Sequence, residues 1–254
     1  MKTLALGIDI GGSGIKFGLI ETETGEMIGE RIKIDTPQPS TPDAVAVAIK
    51  EVIDQLDWKG EKIGVGFPAI MVDGVALTAA NIDKGWIGIN VQDLLHHYTG
   101  HKYYVINDAD AAAVAERMYG RVNHIKGTVL LLTLGTGIGS ALFYDGTLIP
   151  NTEFGHIQYR GDIAENWVSN RARKERDLDY DTWAIELAGF LDYMILLLSP
   201  RLIVLGGGIS FRFDEFAHHF NHLRTPVVSA SAFNDAGIIG AAIAAYPELM
   251  EPFV

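Results

Sequence analysis

The sequence predicts an α/β protein built from two related halves with largely parallel sheets. The first observation is a repeated pattern: residues 3–25 and 128–146 both read as a short apolar run, a glycine-rich turn and a second apolar run. The second is that strand-like and helix-like segments alternate along the rest of the 254-residue chain. Two copies this far apart indicate a duplicated unit, because a solenoid repeats at much shorter intervals.

Each repeated segment is predicted to be two strands joined by a glycine turn. Helical spacing of apolar residues predicts a first helix at 43–57, with Asp43 as its N-cap after Pro42. The last helix consists mainly of Gly, Ala and Ile, so we expect it to pack closely against a neighbour. The remaining predicted elements are strands at 61–67, 103–106 and 202–205, and helices at 109–119, 181–198 and about 236–246.

These elements predict a smaller N-terminal domain at 1–106 and a larger C-terminal domain at 107–254. The last helix, placed at about 236–254, is a candidate for packing back on the first domain. Pro37, Pro39 and Pro42 mark a loop within the first half and not a linker between domains.

The composition excludes several classes of protein. With 48 % hydrophobic residues the chain can bury a substantial core, and a net charge of −12 argues against nucleic acid as a partner. The absence of cysteine excludes disulfides and Cys-ligated zinc. The start lacks a signal peptide, and no stretch has the roughly 20 apolar residues of a membrane span, so we expect a soluble cytoplasmic protein.

One basic run stands out in this acidic chain, formed by Arg171, Arg173, Lys174 and Arg176. Such a run is typical of a solvated helix face. It is also the densest positive segment, and therefore the candidate path for a long polyanion.

Glycine turns at strand ends let backbone N–H groups converge on an anion. Neither turn matches a Walker motif or a dinucleotide fingerprint, and a single such turn is usually an ordinary hairpin. Two matched turns and a third cluster at 206–208 favour a phosphoryl donor. The candidate donor-binding residues in these segments are Gly11, Gly12, Ser13, Gly14, Gly135, Thr136, Gly137, Gly207 and Gly208.

Two charged residues border the first turn. Asp9 has either a turn-stabilising role or the role of orienting Mg²⁺ through water beside the donor phosphates. Lys16 follows the turn closely enough to reach a phosphate.

A second group of polar residues resembles a site for sugar hydroxyls. Asn107 and Asp108 end a strand and precede a helix, where one of them is expected as an N-cap. Glu153, His156 and Glu165 add carboxylates and an imidazole, which together suit a polyol. Zinc is not expected, because the chain has no thiols and these spacings match no metalloprotease motif.

Four segments together resemble the ROK family of sugar kinases and repressors, and they occur in family order over essentially the whole chain. They are Asp9 to Lys16 (DIGGSGIK), Leu134 to Gly139 (LGTGIG), Glu153 to His156 (EFGH) and Leu205 to Ser210 (LGGGIS). Within the family, residues 77–88, 151–153 and 223–226 resemble the branch of bacterial inorganic-polyphosphate glucokinases. No helix-turn-helix precedes Met1, which disfavours the repressor branch.

The resemblance implies a two-domain actin-like ATPase (ribonuclease H-like) fold with the active site in an interdomain cleft. It implies that Asp108 is the catalytic base acting on the 6-hydroxyl of glucose, and that Asn107, Glu153, His156 and Glu165 bind the sugar. Asn81 and Lys84 fall in a loop specific to the branch and are assigned to the sugar-side rim. The implied partners are glucose, inorganic polyphosphate or ATP with Mg²⁺, and a second copy in a homodimer.

Three other interpretations remain open. The nearest is a strictly ATP-dependent hexokinase of the same fold, since the acidic balance does not favour a polyphosphate chain. A non-catalytic sugar-sensing protein and a filament-forming ATPase are the others; the second would not need the Glu153 and His156 pair.

Overall fold

The computed structural model describes residues 4–231 and 235–250 of the chain. The first half contains seven strands and three helices within these residues. In chain order they are β1 (Leu4–Ile10), β2 (Gly14–Glu21), β3 (Met27–Asp35), α1 (Pro42–Leu56), β4 (Lys62–Phe67), β5 (Met71–Val72), β6 (Val75–Ala76), α2 (Val91–Thr99), β7 (Lys102–Asn107) and α3 (Asp108–Tyr119).

The remaining described residues form seven strands and five helices. They are β8 (Thr128–Leu134), β9 (Ile138–Tyr144), β10 (Thr147–Ile149), β11 (Gln158–Tyr159), β12 (Asp162–Ile163), α4 (Glu165–Val168), α5 (Asn170–Glu175), α6 (Tyr180–Leu198), β13 (Leu202–Gly206), α7 (Phe213–Phe216), β14 (Val227–Ser229) and α8 (Ala236–Ala244). Short 3₁₀ turns, among them Lys84–Trp86, Phe154–His156 and Gly208–Arg212, connect several of these elements.

The two five-stranded sheets share one topology. The first has the order β3-β2-β1-β4-β7 and the second β10-β9-β8-β13-β14. In each, three antiparallel strands joined by hairpins are followed by two parallel strands. The predicted duplication and the predicted α/β class are therefore confirmed. Both glycine turns, at 11–13 and at 135–137, connect the first two strands of their sheet.

Contacts divide the described residues into two compact units. The first comprises the chain up to Met118 and resumes at Asp235, and the second begins at Tyr119. The division thus falls at the last residue of α3 and not after residue 106, because α3 packs on the first sheet and on α8. A Cβ built on Gly66 of β4 would lie 3.3 Å from the Ala111 side chain, and one on Gly240 of α8 would lie 1.6 Å from the Ala111 carbonyl oxygen.

Helix α8 packs against the first sheet by direct backbone contact. A Cβ on Gly7 would lie 2.0 Å from the carbonyl oxygen of Ile238, and one on Gly64 would lie 1.7 Å from that of Ala241. Only glycine fits such an approach. This close contact is what the Gly- and Ala-rich sequence of the helix predicts. The predicted range extends to residue 254, and its residues 251–254 lie outside the described part.

The predicted N-cap of the first helix is wrong. Thr41 caps α1 by accepting a hydrogen bond from the backbone N–H of Ala44 at 3.4 Å, and Pro42 occupies the first helical turn. Proline is favoured at the first helical position because its missing N–H would have no helical partner there. This places the cap one residue before the proline, so Asp43 lies inside the first turn.

No helix among the described residues is long and apolar enough to cross a bilayer.

The contact between α8 and α3 predicts an asymmetric response to glycine substitution. Gly240→Ala should lower the free energy of unfolding by about 2 kcal/mol, because the new methyl group overlaps a backbone carbonyl that cannot yield cheaply. Gly189→Ala in the interior of α6 is the matched control. Its Cβ would meet only the ends of the Tyr159 and Arg160 side chains, at 3.1 and 3.4 Å.

Urea unfolding of both variants tests this difference. The control should be neutral or slightly stabilised, since alanine is the better helix former. Equal stabilities of the two variants would contradict the proposed backbone contact.

Candidate active site

Hydrogen bonds to its carbonyl groups hold the backbone of the first glycine turn. Gly11 N–H donates to the Gly14 carbonyl at 3.0 Å, and the Thr36 hydroxyl donates to the Gly11 carbonyl at 2.6 Å. The amide of Gln38 donates to the Gly12 carbonyl at 3.3 Å. The turn carbonyls are thus occupied, which fixes the backbone conformation of the turn.

Asp9 and Lys16 face each other beside this turn. They are paired in register across β1 and β2, and Lys16 Nζ lies 2.7 Å from Asp9 Oδ2. The Asp9 side chain is 16 % exposed and lies against the first turn of α8, where a Cβ on Gly237 would be 3.0 Å from its carboxyl carbon. One carboxylate beside a glycine turn of this kind fits a divalent cation that keeps most of its water ligands.

The loop with Asn81 and Lys84 is anchored in the core by a tryptophan. Trp86 is fully buried, packs 4.7 Å from the Phe67 ring and donates its indole N–H to the Ser40 carbonyl at 2.9 Å. This anchor brings Asn81 against the first turn, since a Cβ on Gly12 would lie 2.3 Å from the Asn81 carbonyl oxygen. Asn81 and Lys84 are themselves exposed.

Asn107 and Asp108 have different structural roles. The Asn107 side-chain oxygen accepts from the backbone N–H groups of Ala109 at 2.8 Å and Asp110 at 3.2 Å, which makes it the N-cap of α3. Its amide donates to the Ala69 carbonyl at 3.0 Å. Asp108 opens the helix, is partly exposed and also accepts from Ala109 N–H at 2.8 Å. Asn107 therefore caps the helix through two N–H groups, and Asp108 shares one of them.

In the second unit, the residues of the EFGH segment are fixed by the hairpin beneath them. The Ser140 hydroxyl accepts from the Phe154 N–H at 2.9 Å, and Gly155 lies so close to β9 that a Cβ would be 2.3 Å from the Ile138 carbonyl oxygen. This packing places Glu153 Oε2 3.0 Å from His156 Nδ1. Burial raises the pKa of the Glu153 carboxyl, and the neighbouring His156 partly opposes that effect.

Glu165 joins these residues to the second glycine turn. Its Oε2 accepts from the Ile138 N–H at 3.2 Å and lies 3.9 Å from His156 Nε2. A Cβ on Gly137 would be 2.4 Å from the same oxygen, so glycine is required there. Arg171 Nη2 lies 3.6 Å from Glu165 Oε1 and balances its charge.

The third glycine cluster adjoins the second turn. A Cβ on Gly207 would lie 2.9 Å from the Leu134 carbonyl oxygen, directly before Gly135. Gly207 also has a φ of 81°, which favours glycine. A Cβ on Gly135 or on Gly208 would meet nothing within 4 Å, so the backbone is open there. Thr136 belongs to the same turn.

The basic run of the second unit is largely engaged in contacts within the protein. Arg176 forms a bidentate ion pair with Glu186 at 2.6 and 2.8 Å. The Arg173 guanidinium donates to the Leu178 carbonyl at 3.0 Å and lies over the Tyr180 ring. The polyphosphate path through this run stays a prediction.

A separate group of potential metal ligands lies on the surface of the second unit. Asp181 Oδ1 is 2.9 Å from His219 Nε2 and 3.6 Å from His218 Nε2. Among the described residues this is the group with suitable spacing for a metal, and sequence reasoning did not identify it because the histidines lie far from Asp181 in the chain.

The profile of the ROK family matches residues 5–166. This chain belongs to the ROK family. It is 46 % identical over 239 residues to the polyphosphate glucokinase of Mycobacterium tuberculosis, covering 94 % of this chain and 89 % of the relative.

Solved structures support the same assignment of the fold. The inorganic polyphosphate/ATP-glucomannokinase of Arthrobacter sp. strain KM has a TM-score of 0.91 and 44 % identity, covering 97 % of this chain and 99 % of that one. A ROK family glucokinase from Streptomyces griseus, solved with glucose and AMPPNP, has a TM-score of 0.80 at 24 % identity, covering 96 % and 99 % of the two chains. The predicted actin-like ATPase fold is therefore confirmed. Kinases of this chemistry generally need a divalent metal.

Proposed function

We propose that this protein is a polyphosphate-dependent glucokinase. It transfers the terminal phosphoryl group of inorganic polyphosphate to the 6-hydroxyl of glucose, and it accepts ATP as a further donor. The observation that carries the proposal is the 46 % identity, over 94 % of this chain, to a protein named polyphosphate glucokinase. The polar residues beside both glycine turns support it.

Asp108 is the general base of this reaction. Its carboxylate takes the proton of the 6-hydroxyl while that oxygen attacks the terminal phosphorus. The bond from this phosphorus to the bridging oxygen breaks, and the shortened polyphosphate, or ADP, leaves with the electron pair. Asn107 accepts from two N–H groups in the first turn of α3, so the cap of this helix does not depend on Asp108.

The sugar hydroxyls are assigned to Asn81, Asn107, Glu153, His156 and Glu165, the residues that the family resemblance implies. Carboxylates accept hydrogen bonds from adjacent hydroxyls, and the amide and imidazole add a donor or an acceptor as required. Lys84 contributes to the rim of this site.

The donor phosphates are bound by the glycine turns and by Lys16. The turn residues are those named from the sequence: Gly11, Gly12, Ser13, Gly14, Gly135, Thr136, Gly137, Gly207 and Gly208. Asp9 would hold Mg²⁺ through water, and the ion would neutralise charge on the transferred group. Positioning and charge neutralisation then supply most of the rate enhancement.

The main alternative is a strictly ATP-dependent hexokinase of the same family. A donor comparison distinguishes the two, at fixed glucose and Mg²⁺, with glucose 6-phosphate as the measured product. The proposed function predicts turnover with polyphosphate in the absence of any nucleotide. Turnover with ATP alone would establish the alternative.

The roles of Asp108 and Glu153 predict different kinetic defects. Asp108→Ala should lower kcat by about 10²- to 10⁴-fold, the usual contribution of general acid–base catalysis. Glu153→Gln should chiefly raise the KM for glucose, since it weakens a hydroxyl acceptor. Steady-state kinetics with glucose as the varied substrate measure both effects.

Asn107→Ala is the control for a structural role at this helix start. It should lower the free energy of unfolding by about 1 kcal/mol through loss of the cap, whereas Asp108→Ala should not. An Asp108 variant that keeps more than about a tenth of wild-type kcat would exclude it as the base, because the expected loss is at least 10²-fold.

We further propose a homodimer formed through one face of α6. Ile185, Tyr193, Leu196 and Leu197 are 60, 36, 69 and 53 % exposed and recur at helical spacing. Asp192 lies on the same face of α6. Gly189 lies on this face too, and the Arg160 guanidinium is 3.4 Å from the position that a Cβ on Gly189 would take. Neither charge has an ion-pair partner among the described residues, so a two-fold interface can pair each with the other across two copies.

Leu196→Glu should convert the dimer to a monomer in light scattering after gel filtration, because it buries a carboxylate in the apolar contact. Val47→Glu on α1, where Val47 is 43 % exposed, is the matched control and should stay dimeric. A monomeric wild-type protein would contradict the proposed interface.

A further inference from the structure

The face of the first sheet beside the glycine turn carries a row of charged side chains. Asp9 on β1 is paired in register with Lys16 on β2, and Lys16 is paired with Lys33 on β3. Residues paired across antiparallel strands point to the same face. The three side chains therefore extend in a line from the middle of the sheet to its edge strand.

Lys33 is held beside the first glycine turn. A Cβ built on Gly14 would lie 2.9 Å from Lys33 Cε and 3.8 Å from its Nζ. The side chain thus lies over the first residue that follows the turn, in the space that a glycine leaves open. Its ammonium group is exposed on the same side as the turn.

Lys33 differs from its neighbours in having no counter-charge. Lys16 is paired with Asp9 at 2.7 Å, and Arg31 is paired with Asp235 at 2.8 Å. Lys33 forms no ion pair or hydrogen bond with the residues that the structure describes, Asp35 on its own face included. An unpaired ammonium group beside a glycine turn favours binding of an anion there.

We propose that Lys33 binds a donor phosphate next to the one that is transferred. Neighbouring strands are about 4.8 Å apart, so Lys33 lies one strand farther from Asp9 than Lys16 does. A donor that runs outward across β2 and β3 meets Lys16 first and Lys33 at the phosphates that follow. Polyphosphate and ATP both have phosphates there, because adenosine begins only after the third phosphate of ATP. The inference rests on the proposed function, and it assigns to Lys33 a contact that both donors use.

The arginines of the basic run, unlike Lys33, already have partners within the protein. Arg173 donates to the Leu178 carbonyl, Arg176 is paired with Glu186, and Arg171 lies near Glu165. A guanidinium already bound to a carboxylate must break that contact before it binds phosphate. Lys33 has no such contact to break.

The test is Lys33→Gln, measured with polyphosphate and with ATP as donors at saturating glucose. We expect kcat/KM for polyphosphate to fall about tenfold, through a higher KM, because one charge-assisted contact is lost. We expect kcat/KM for ATP to fall by a similar factor, and both losses to be larger at low than at high salt, since counter-ions screen the contact. Lys33→Arg should restore most of the polyphosphate activity.

Lys50→Gln on α1 is the matched control. It removes the same charge from an exposed position of the same unit, where Lys50 pairs with Asp54, and it should leave both donors unaffected. Calorimetric titration with polyphosphate alone adds a measurement independent of turnover. The Kd should rise for Lys33→Gln and not for Lys50→Gln.

Two results would overturn the inference while leaving the proposed function intact. One is an unchanged kcat/KM for both donors in Lys33→Gln, and the other is an equal loss in Lys50→Gln. Absence of polyphosphate turnover in the wild-type protein is a different result, because it overturns the proposed function while the measurements with ATP still test the role of Lys33.

Discussion

The first unit depends on the direct contact between the backbone of α8 and its neighbours. Carbonyl oxygens of α8 fill the positions where Gly7 and Gly64 would carry side chains, and Gly240 receives a carbonyl of α3. Because β1, β4 and α3 all touch this one helix, their ends are fixed relative to each other. Asp9 at the end of β1 and Asp108 at the start of α3 are positioned by these contacts.

The second unit positions its polar residues by a different interaction. There the Glu165 carboxylate replaces a missing side chain at Gly137 and binds the N–H of Ile138. This one group links the glycine turn, His156 and Arg171. Glycine thus serves two purposes in the molecule: close packing of a helix in one unit, and access for a carboxylate in the other.

Local patterns in the sequence predicted the features that depend on local chemistry. The matched hairpins predicted the common topology of the two sheets, and the small residues near 236–246 predicted a closely packed helix. The N-cap of α1 was misplaced because Asp43 and Thr41 both have suitable side chains, and the position of Pro42 decides between them.

Features that depend on distant residues could not be predicted in the same way. The engagement of Arg176 requires Glu186 on another helix, and the anchoring of Asn81 requires Trp86 to reach Ser40. The sequence did not predict a role for Lys33, because a single lysine is common in a strand whose polar and apolar residues alternate. Only the register with Lys16 and the space over Gly14 distinguish it.

The shared topology of the two sheets also shows what a duplication does not preserve. The turn of the first sheet has the ammonium of Lys33 beside it, and the equivalent turn of the second has the carboxylate of Glu165. The two copies share the course of the backbone and differ in the charged side chain that lies over the glycine of the turn. The two turn segments are therefore not interchangeable. If one replaced the other, its backbone would fit, but the charged side chains around it would be the wrong ones.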